Sequence, residues 1–395
     1  MPTSVLSNFV LHRELKLTRI QKVGTSTCEI RCEKKPLKEF CPRCATPSCT
    51  IYDSRRVRLK DAPIRGTLMV MVVRKRRLWC GTCRKPFTEP LPGVKRGRRH
   101  TERYARSLLW ACENFSSLSQ VRRAYRCSAS FLYKVHYEKL EAKVHEKVNY
   151  PWPKTIGIDE HAFKKARFGA PTEFVTMIVD YPNKRVREVV EGKTGAALSD
   201  QLKSIPERHN VENVCLDMCD PFKNFAKEFF PKARIIADKF HVLRLLSPSL
   251  MRHRKEIIGT RADLKAKRLL LMSSKKLGYF ERQALLDFLY RYPDLFELYT
   301  WKEKLHRFYR IRGYHNAAIA LRKMLDQMAW SSLKEIKTLR RTLMKWREEI
   351  LNYFLTGLTN ARTEGYNNKA KVVKRRAYGY KSFRNYRLKV LTACA

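Results

Sequence analysis

The chain has 395 residues, and its 83 Lys and Arg residues outnumber its 37 Asp and Glu residues, which gives a formal net charge of +46 at pH 7. Hydrophobic residues make up 44% of the sequence. This composition excludes a disordered basic tail and predicts a multidomain globular chain with a sizeable core. A charge this large opposes compaction unless a polyanion offsets it. Because the basic residues are spread along the whole length, they indicate an extended nucleic-acid-binding surface.

The sequence also limits where the protein is expected to work. We find no apolar run long enough to span a bilayer. Met1 to Thr50 lacks the long apolar stretch behind a basic start that marks a signal peptide. A cytoplasmic location without a membrane partner is therefore predicted. The 12 cysteines are then expected to be reduced thiols, some of them bound to metal, because disulfides are rare in that compartment.

Two Cys-x-x-Cys pairs near the N-terminus predict a structural zinc site, because four thiolates complete a tetrahedral zinc shell. Their residues are Cys41, Cys44, Cys80 and Cys83. Strand-like runs at Val57 to Leu59 and Leu68 to Arg74, with turn residues at Arg65-Gly66, predict a zinc ribbon with a long hairpin between its knuckles. We assign residues 1–100 to this DNA-binding domain. A redox role for the pairs is the alternative. The spare thiols nearby, of which the first two could compete as ligands, are Cys28, Cys32 and Cys49.

Residues 101–150 show helical periodicity and form the predicted second domain. A helix over Leu118 to Tyr125, a break at residues 126–128 and a helix over Ala129 to Tyr137 make a helix-turn-helix pattern. Ser128 is the expected N-cap of the second helix. The outward positions of that helix suit a recognition helix in the major groove of DNA; they are Ser130, Tyr133 and Lys134. A helical hairpin that serves only packing is the alternative.

The third predicted domain, residues 151–395, begins with three β-branched runs and continues as helix, strand, helix, strand, helix. This order predicts a ribonuclease H-like fold of the kind found in retroviral integrases, in which three antiparallel strands pair with parallel ones. The expected strands are 154–163, Glu173 to Tyr181, Arg185 to Glu191, Val211 to Asp217 and Arg234 to Ala237.

Acidic residues at the ends of these strands predict a catalytic metal site. In the predicted fold the first and fourth strands are neighbours about 4.8 Å apart, so Asp159 and Asp217 at their ends can share metal ions. Glu364 on a late helix would complete a three-carboxylate site of the kind that holds two divalent cations, here Mg²⁺ or Mn²⁺. Asp238 at the end of the fifth strand competes with Asp217. Otherwise Asp238, together with His241, is expected to support the metal-binding residues.

A helical insertion of about residues 245–355 is predicted between the fifth strand and the helix of Glu364. Its helical runs are Lys265 to Met272, Glu281 to Tyr292, Ala317 to Met328 and Leu333 to Tyr353. The late helix is expected to continue to about Arg376 and to be broken by Gly379. Basic and amide side chains on this helix and near the cysteine pairs are expected to contact DNA. They are Arg74, Lys75, Arg76, Arg77, Arg98, Arg99, Asn368, Lys369, Lys371, Lys374, Arg375 and Arg376.

Several motifs resemble the ISL-three family of bacterial insertion-sequence transposases, a branch of the DDE transposases. Besides the four-cysteine module, the motifs are Ile158-Asp159-Glu160, Leu216-Asp217-Met218, Ala237 to Val242, Thr363 to Lys369 and Arg376 to Tyr380. The resemblance covers nearly the whole chain, although the family often has Arg where Lys239 stands. It implies a metal-dependent transposase that moves an insertion sequence through its terminal inverted repeats, with Asp159, Asp217 and Glu364 matching the catalytic triad.

The resemblance further implies double-stranded DNA as the partner, at least a dimer on DNA because two ends are cut together, and a nucleoid-associated protein in a bacterial cytoplasm. Two other functions are compatible with the sequence. One is a domesticated DNA-binding regulator that keeps the fold but not the catalysis. The other is an RNA-directed nuclease of the same fold. Strand transfer into DNA, as opposed to cleavage of an RNA–DNA hybrid, separates the nuclease from the transposase.

Overall fold

The computed structural model describes residues 14–35, 38–115, 117–148, 150–166, 169–259 and 264–395. The chain divides into two compact units, Met1–Lys139 and Leu140–Ala395. Both units combine strands with helices. Among the described helices, none has the length and apolar character needed to cross a membrane. The predicted domain boundaries near residues 100 and 150 stay predictions.

A five-stranded sheet organises the first unit. In chain order the strands of this unit are β1 (Leu15–Val23), β2 (Thr27–Lys34), β3 (Glu39–Phe40), β4 (Pro47–Ser48), β5 (Ile51–Ile64), β6 (Thr67–Cys80) and β7 (Lys85–Thr88). The order in the sheet is β1-β2-β6-β5, with β7 also paired to β6, while β3 and β4 form a separate two-stranded sheet. Strands β1 and β2 were not among the predicted elements. Their apolar residues Leu15 and Ile30 pack with Leu59 and Met71 into one core cluster.

Strands β5 and β6 form the hairpin that was predicted between the two cysteine pairs. Each strand has 14 residues, and the two-residue turn has positive φ at both Arg65 (47°) and Gly66 (77°). Positive φ at both positions is the requirement of a type I′ hairpin turn, whose twist matches that of the strands. The strands are longer than predicted, since their outer halves are rich in Arg and Lys and lack the β-branched signal.

Three helices follow the sheet: α1 (Glu102–Asn114), α2 (Leu118–Ala124) and α3 (Ala129–Val148). The Ser128 hydroxyl accepts a hydrogen bond from the Phe131 amide at 3.3 Å, so the predicted N-cap is confirmed. The Thr101 hydroxyl donates to buried Asp61 at 2.6 Å and also accepts from the Tyr104 amide at 3.1 Å. This pair of contacts fixes the start of α1 against β5.

The second unit contains a five-stranded sheet: β8 (Thr155–Lys164), β9 (Glu173–Asp180), β10 (Arg185–Glu191), β11 (Asn213–Leu216) and β12 (Arg234–Ala237). Its order is β10-β9-β8-β11-β12. Strand β9 pairs antiparallel with β8 and with β10, and β11 pairs parallel with β8 and with β12. All five predicted strands are present, and the first and fourth are neighbours as expected.

The helices α4 (Gly195–Leu202), α5 (Asp220–Phe229) and α6 (Lys239–Arg244) alternate with the later strands as predicted. Among the described residues, the regular elements of the predicted insertion are all helices. Its helices are α7 (Ser247–Ile258), α8 (Leu264–Leu271), α9 (Tyr279–Tyr290), α10 (Pro293–Phe308), α11 (Tyr314–Ala329), α12 (Lys334–Lys345) and α13 (Arg347–Thr356).

The single helix predicted over Leu333 to Tyr353 is wrong, because Trp346 separates α12 from α13. Trp346 is buried and has φ −106° and ψ 18°, outside the helical region. No Gly or Pro marks this break in the sequence. The bend lets α12 pack against α11 while α13 packs against β12, so tertiary packing overrides an uninterrupted helical pattern.

Two further helices close the chain, α14 (Ala361–Arg376) and α15 (Phe383–Ala393). Helix α14 ends at the predicted residue. Gly379, with φ 99°, donates its amide to the Lys374 carbonyl at 3.0 Å, as expected at a helix C-terminus. Helix α14 packs against β8 and β9, and α15 packs against β10. Helix α15 was not predicted.

Candidate zinc cluster and carboxylate site

The four cysteines of the Cys-x-x-Cys pairs lie together. One ligand atom from each of Cys41, Cys44, Cys80 and Cys83 lies within 4.8 Å of the others, and the sulfurs of Cys44 and Cys80 are 3.5 Å apart. Hydrogen bonds with Thr46 lower the pKa of Cys44 to about 6, which favours its thiolate. Four converging sulfurs, one of them already acidic, fit a tetrahedral zinc site.

The spare thiols lie outside this cluster. Cys32 is on β2 within the core cluster of the sheet, and burial raises its pKa to about 12, so it stays a protonated thiol. Cys28 lies on the same strand, and Cys49 is exposed. Within the described ranges, the cysteine group contains none of these three. Competition by Cys28 and Cys32 for the metal is therefore not supported.

Two carboxylates lie side by side at the centre of the second sheet. Asp217 directly follows β11, as predicted, but Asp159 lies in the middle of β8 and not at its end, because β8 continues to Lys164. Ile158 pairs with Leu216 on the parallel strand, so the next residues, Asp159 and Asp217, are neighbours. Burial raises the pKa of Asp217 to about 7, and the charge of Asp159 adds to the effect. Burial also raises the pKa of Asp159. Two crowded carboxylates that resist ionising together offer hard oxygen ligands, and these fit Mg²⁺ or Mn²⁺.

Asp238 and His241 extend this site from the end of β12. The Nδ1 atom of His241 lies 2.9 Å from an Asp238 oxygen, and its Nε2 lies 3.1 Å from an Asp217 oxygen. The bond to Asp238 is the main cause of the raised pKa of His241. Burial alone would raise the pKa of Asp238, but hydrogen bonds from His241 and from the Asn360 amide keep it below its ordinary value.

Glu364 occupies the first turn of α14 and is exposed. In the part of the chain that the structure describes, the carboxylate–histidine group that could hold a metal consists of Asp217, Asp238 and His241, and Glu364 does not belong to it. Asp159 does not belong to that group either, although it contacts Asp217. The structure therefore brings the two predicted aspartates together, and the role of Glu364 stays a prediction.

Sequence reasoning missed two asparagines that connect α14 to the aspartates. Asn360 contacts Asp217 at 3.2 Å, and Asn367 contacts Asp159 at 2.5 Å. Both lie on the helix face of Glu364, since they are four residues before it and three residues after it. The spacing of the two asparagines relative to Glu364 is visible in the sequence. Their aspartate partners are not, and without them the two amides resemble ordinary surface residues.

The close approach of α14 to β8 depends on Gly157. A Cβ atom at this position would lie 2.0 Å from the Thr363 hydroxyl oxygen and 2.6 Å from the Tyr181 ring. We expect Gly157→Ala to displace the helix and to lower the free energy of unfolding by about 1–3 kcal/mol. Thermal or urea unfolding measures this. Gly365→Ala is the matched control, because a Cβ there meets nothing within 4 Å. Equal stability of the two variants would contradict the prediction.

Most side chains predicted to contact DNA are exposed: Arg74, Arg77, Arg99, Ser130, Tyr133, Lys134, Asn368, Lys369, Lys371, Arg375 and Arg376. Lys75, Arg98 and Lys374 are half-buried. Lys374 also donates to the carbonyls of Ala162 and Phe163, at 2.6 and 3.2 Å.

Arg76 does not fit the predicted DNA-contacting set. It is buried, and its guanidinium donates to the fully buried Glu89 at 2.8 Å. The reason is strand alternation, which directs Arg76 to the face of β6 opposite that of its neighbours. Arg76 is therefore not part of the candidate DNA-binding surface.

Comparison with known proteins identifies the family of the chain. A family profile described as transposase, that of the ISL3 group of DDE transposases, matches residues 156–390. The chain is also 24% identical over 369 residues to the transposase for insertion sequence element IS1001 of Bordetella parapertussis, a match that covers 90% of this chain and 88% of that protein. The profile match includes the strands of both aspartates and the helix of Glu364. The chain therefore belongs to the ISL3 family of DDE transposases.

Proposed function

We propose that this protein binds the terminal inverted repeats of an insertion sequence, cuts the DNA there and joins the 3′-hydroxyl ends to target DNA. The observation that carries the proposal is the pair Asp159 and Asp217, two neighbouring carboxylates whose ionisation is opposed by burial. A protein keeps such a destabilising pair where a site needs it. The order of three antiparallel strands followed by two parallel ones supports a ribonuclease H-like fold for this unit.

In this proposal Asp159, Asp217 and Glu364 would hold two Mg²⁺ or Mn²⁺ ions. When bound, such ions activate water or a 3′-hydroxyl and stabilise the leaving oxygen of an in-line phosphodiester displacement. His241 orients the Asp217 carboxylate through its Nε2 contact at 3.1 Å. Asp238 accepts from the other imidazole nitrogen and the His241 amide, and so fixes the ring orientation.

The first unit would recognise the repeats. A zinc ion held by the four cysteines would stabilise the end of the sheet where β6 ends and β7 begins. Helix α3 would enter the major groove with exposed Ser130, Tyr133 and Lys134. The Lys and Arg residues behind the net charge of +46 would contact phosphates of both the terminal repeats and the target DNA. Because two ends have to be cut together, a homodimer on DNA is proposed, in the nucleoid of a bacterial cytoplasm.

Cleavage of a labelled duplex that carries the element's own end tests this function. With Mg²⁺ we expect the wild type to cut, and Glu364→Gln to cut at least about 100-fold more slowly with repeat binding intact, because a lost metal ligand removes several kcal/mol of transition-state stabilisation. Glu348→Gln is the matched control, since Glu348 is an exposed glutamate in the first turn of α13. Its cleavage rate should equal that of the wild type.

The alternatives give different results in the same assay. Tight and specific repeat binding without cleavage by any variant would identify a catalytically silent regulator. Cleavage of an RNA–DNA hybrid, without strand transfer into DNA, would identify a nuclease of the same fold.

A further inference from the structure

Asn367 lies in a buried chain of hydrogen bonds that ends on Asp159. Its Nδ2 donates to Asp159 at 2.5 Å, and its Oδ1 lies 2.9 Å from Nδ1 of His161. The other imidazole nitrogen, Nε2, lies 2.6 Å from the Tyr386 hydroxyl on α15. Asn367, His161 and Tyr386 are 2%, 5% and 0% exposed, so water does not compete for these bonds.

The order of donors along this chain is determined by the carboxylate. An ionised carboxylate only accepts, so the amide NH₂ of Asn367 faces Asp159 and its oxygen faces His161. His161 then donates from Nδ1 and accepts from the Tyr386 hydroxyl at Nε2. Each polar atom along this chain therefore has a compatible partner. The orientation of the Asn367 amide is fixed by His161, which is itself held by Tyr386 on α15.

Asn360 makes the corresponding contact to the second aspartate. It occupies the N-cap position of α14, yet its side chain makes no capping bond, although asparagine is a preferred capping residue. Its Nδ2 donates instead to Asp217 at 3.2 Å and to the Ile158 carbonyl at 3.1 Å. Its Oδ1 accepts from the Tyr181 hydroxyl at 3.1 Å, and its backbone amide donates to Asp238 at 3.0 Å.

The two contacts come from one rigid helix. Asn360 and Asn367 are seven residues apart, which is two helical turns, and Glu364 lies between them on the same face. We propose that Asn360 and Asn367 are positioning residues that orient Asp217 and Asp159 and couple both aspartates to the helix of Glu364. This inference rests on the proposed function. It assigns to α14 a second role, that of assembling the metal-binding carboxylates through its two amides.

Binding of Mn²⁺ to the full-length, DNA-free protein with its zinc retained tests the proposal without catalysis. Residues that orient metal ligands through hydrogen bonds typically change metal affinity by about 10–100-fold when they are removed. We expect Asn367→Ala and Asn360→Ala each to raise the Mn²⁺ dissociation constant by about 10–100-fold in an electron paramagnetic resonance titration. Asn367→Ser, which is too short to span the gap to Asp159 but perturbs packing less, should show the same loss.

Asn352→Ala is the matched control. Asn352 is another buried asparagine of the same unit, and its Nδ2 donates to a backbone carbonyl, that of Ile235, at 2.9 Å. We expect it to lose thermal stability as the other variants do, with unchanged Mn²⁺ affinity. Unchanged affinity in all asparagine variants, with wild-type binding abolished by Asp159→Asn, would overturn the positioning role alone. Absence of Mn²⁺ binding by the wild type would overturn both the positioning role and the proposed function.

Discussion

Asp217→Asn is expected to reduce cleavage of an end-containing duplex by at least about 10³-fold while repeat binding stays within about twofold. The substitution keeps the shape of a side chain that contacts His241 and Asn360, but it removes the charge that a divalent cation requires. Asp200→Asn is the control, since Asp200 is an exposed aspartate on α4 that pairs with Lys203. Lost repeat binding in Asp217→Asn would mean that Asp217 serves the fold instead of the reaction.

The same variant should be more stable than the wild type above neutral pH when no Mg²⁺ or Mn²⁺ is added. The pKa of Asp217 is about 7 in the folded chain and about 3.9 in the unfolded chain. Its ionisation therefore costs stability progressively as pH rises from about 4 to 7, and the full cost is present above pH 7. Removing the charge recovers at most about 4 kcal/mol at pH 8. Urea unfolding at pH 8 and at pH 4 measures this, and an equal difference at both values would contradict it.

Cys80→Ser is expected to release zinc and to unfold the end of the first unit that contains the four cysteines. Structural zinc sites contribute about 10–16 kcal/mol of apparent binding free energy to folding, and Cys80 packs with Cys41, Leu78 and Phe87 in a small cluster. That cluster is separate from the core that contains Ile30 and Met71. We therefore expect hydrogen-exchange protection to be lost in β3, β4 and β7 and to be retained in β2.

Cys49→Ser provides the control for this experiment, because Cys49 is exposed and lies outside the four-cysteine group. It should keep a full complement of zinc and wild-type exchange rates. Unchanged metal content in Cys80→Ser, measured by atomic absorption, would refute the zinc site. Uniform loss of protection across β1 to β7 would show that the two clusters fold as one unit.

Elements whose signal is local can be predicted from the amino-acid sequence. The Cys-x-x-Cys spacing, the Arg65-Gly66 turn, the Ser128 cap and the end of α14 before Gly379 each follow from the conformational preference or bonding capacity of a few adjacent residues. The five strands of the second sheet also follow, since β-branched runs between turn residues are local too. Their order then brought Asp159 next to Asp217, because residues that follow paired positions on parallel strands are neighbours.

Which polar side chains face the interior depends on tertiary contacts. Asn360 and Asn367 on the helix resemble ordinary surface residues until the sheet supplies Asp217 and Asp159 as partners. In the sequence, Arg76 belongs to a run of basic residues and is expected at the surface. In the structure it is buried and paired with Glu89. Such outcomes depend on contacts between residues far apart in the chain, and the cost of burying a polar group is met only by a partner that local sequence does not reveal.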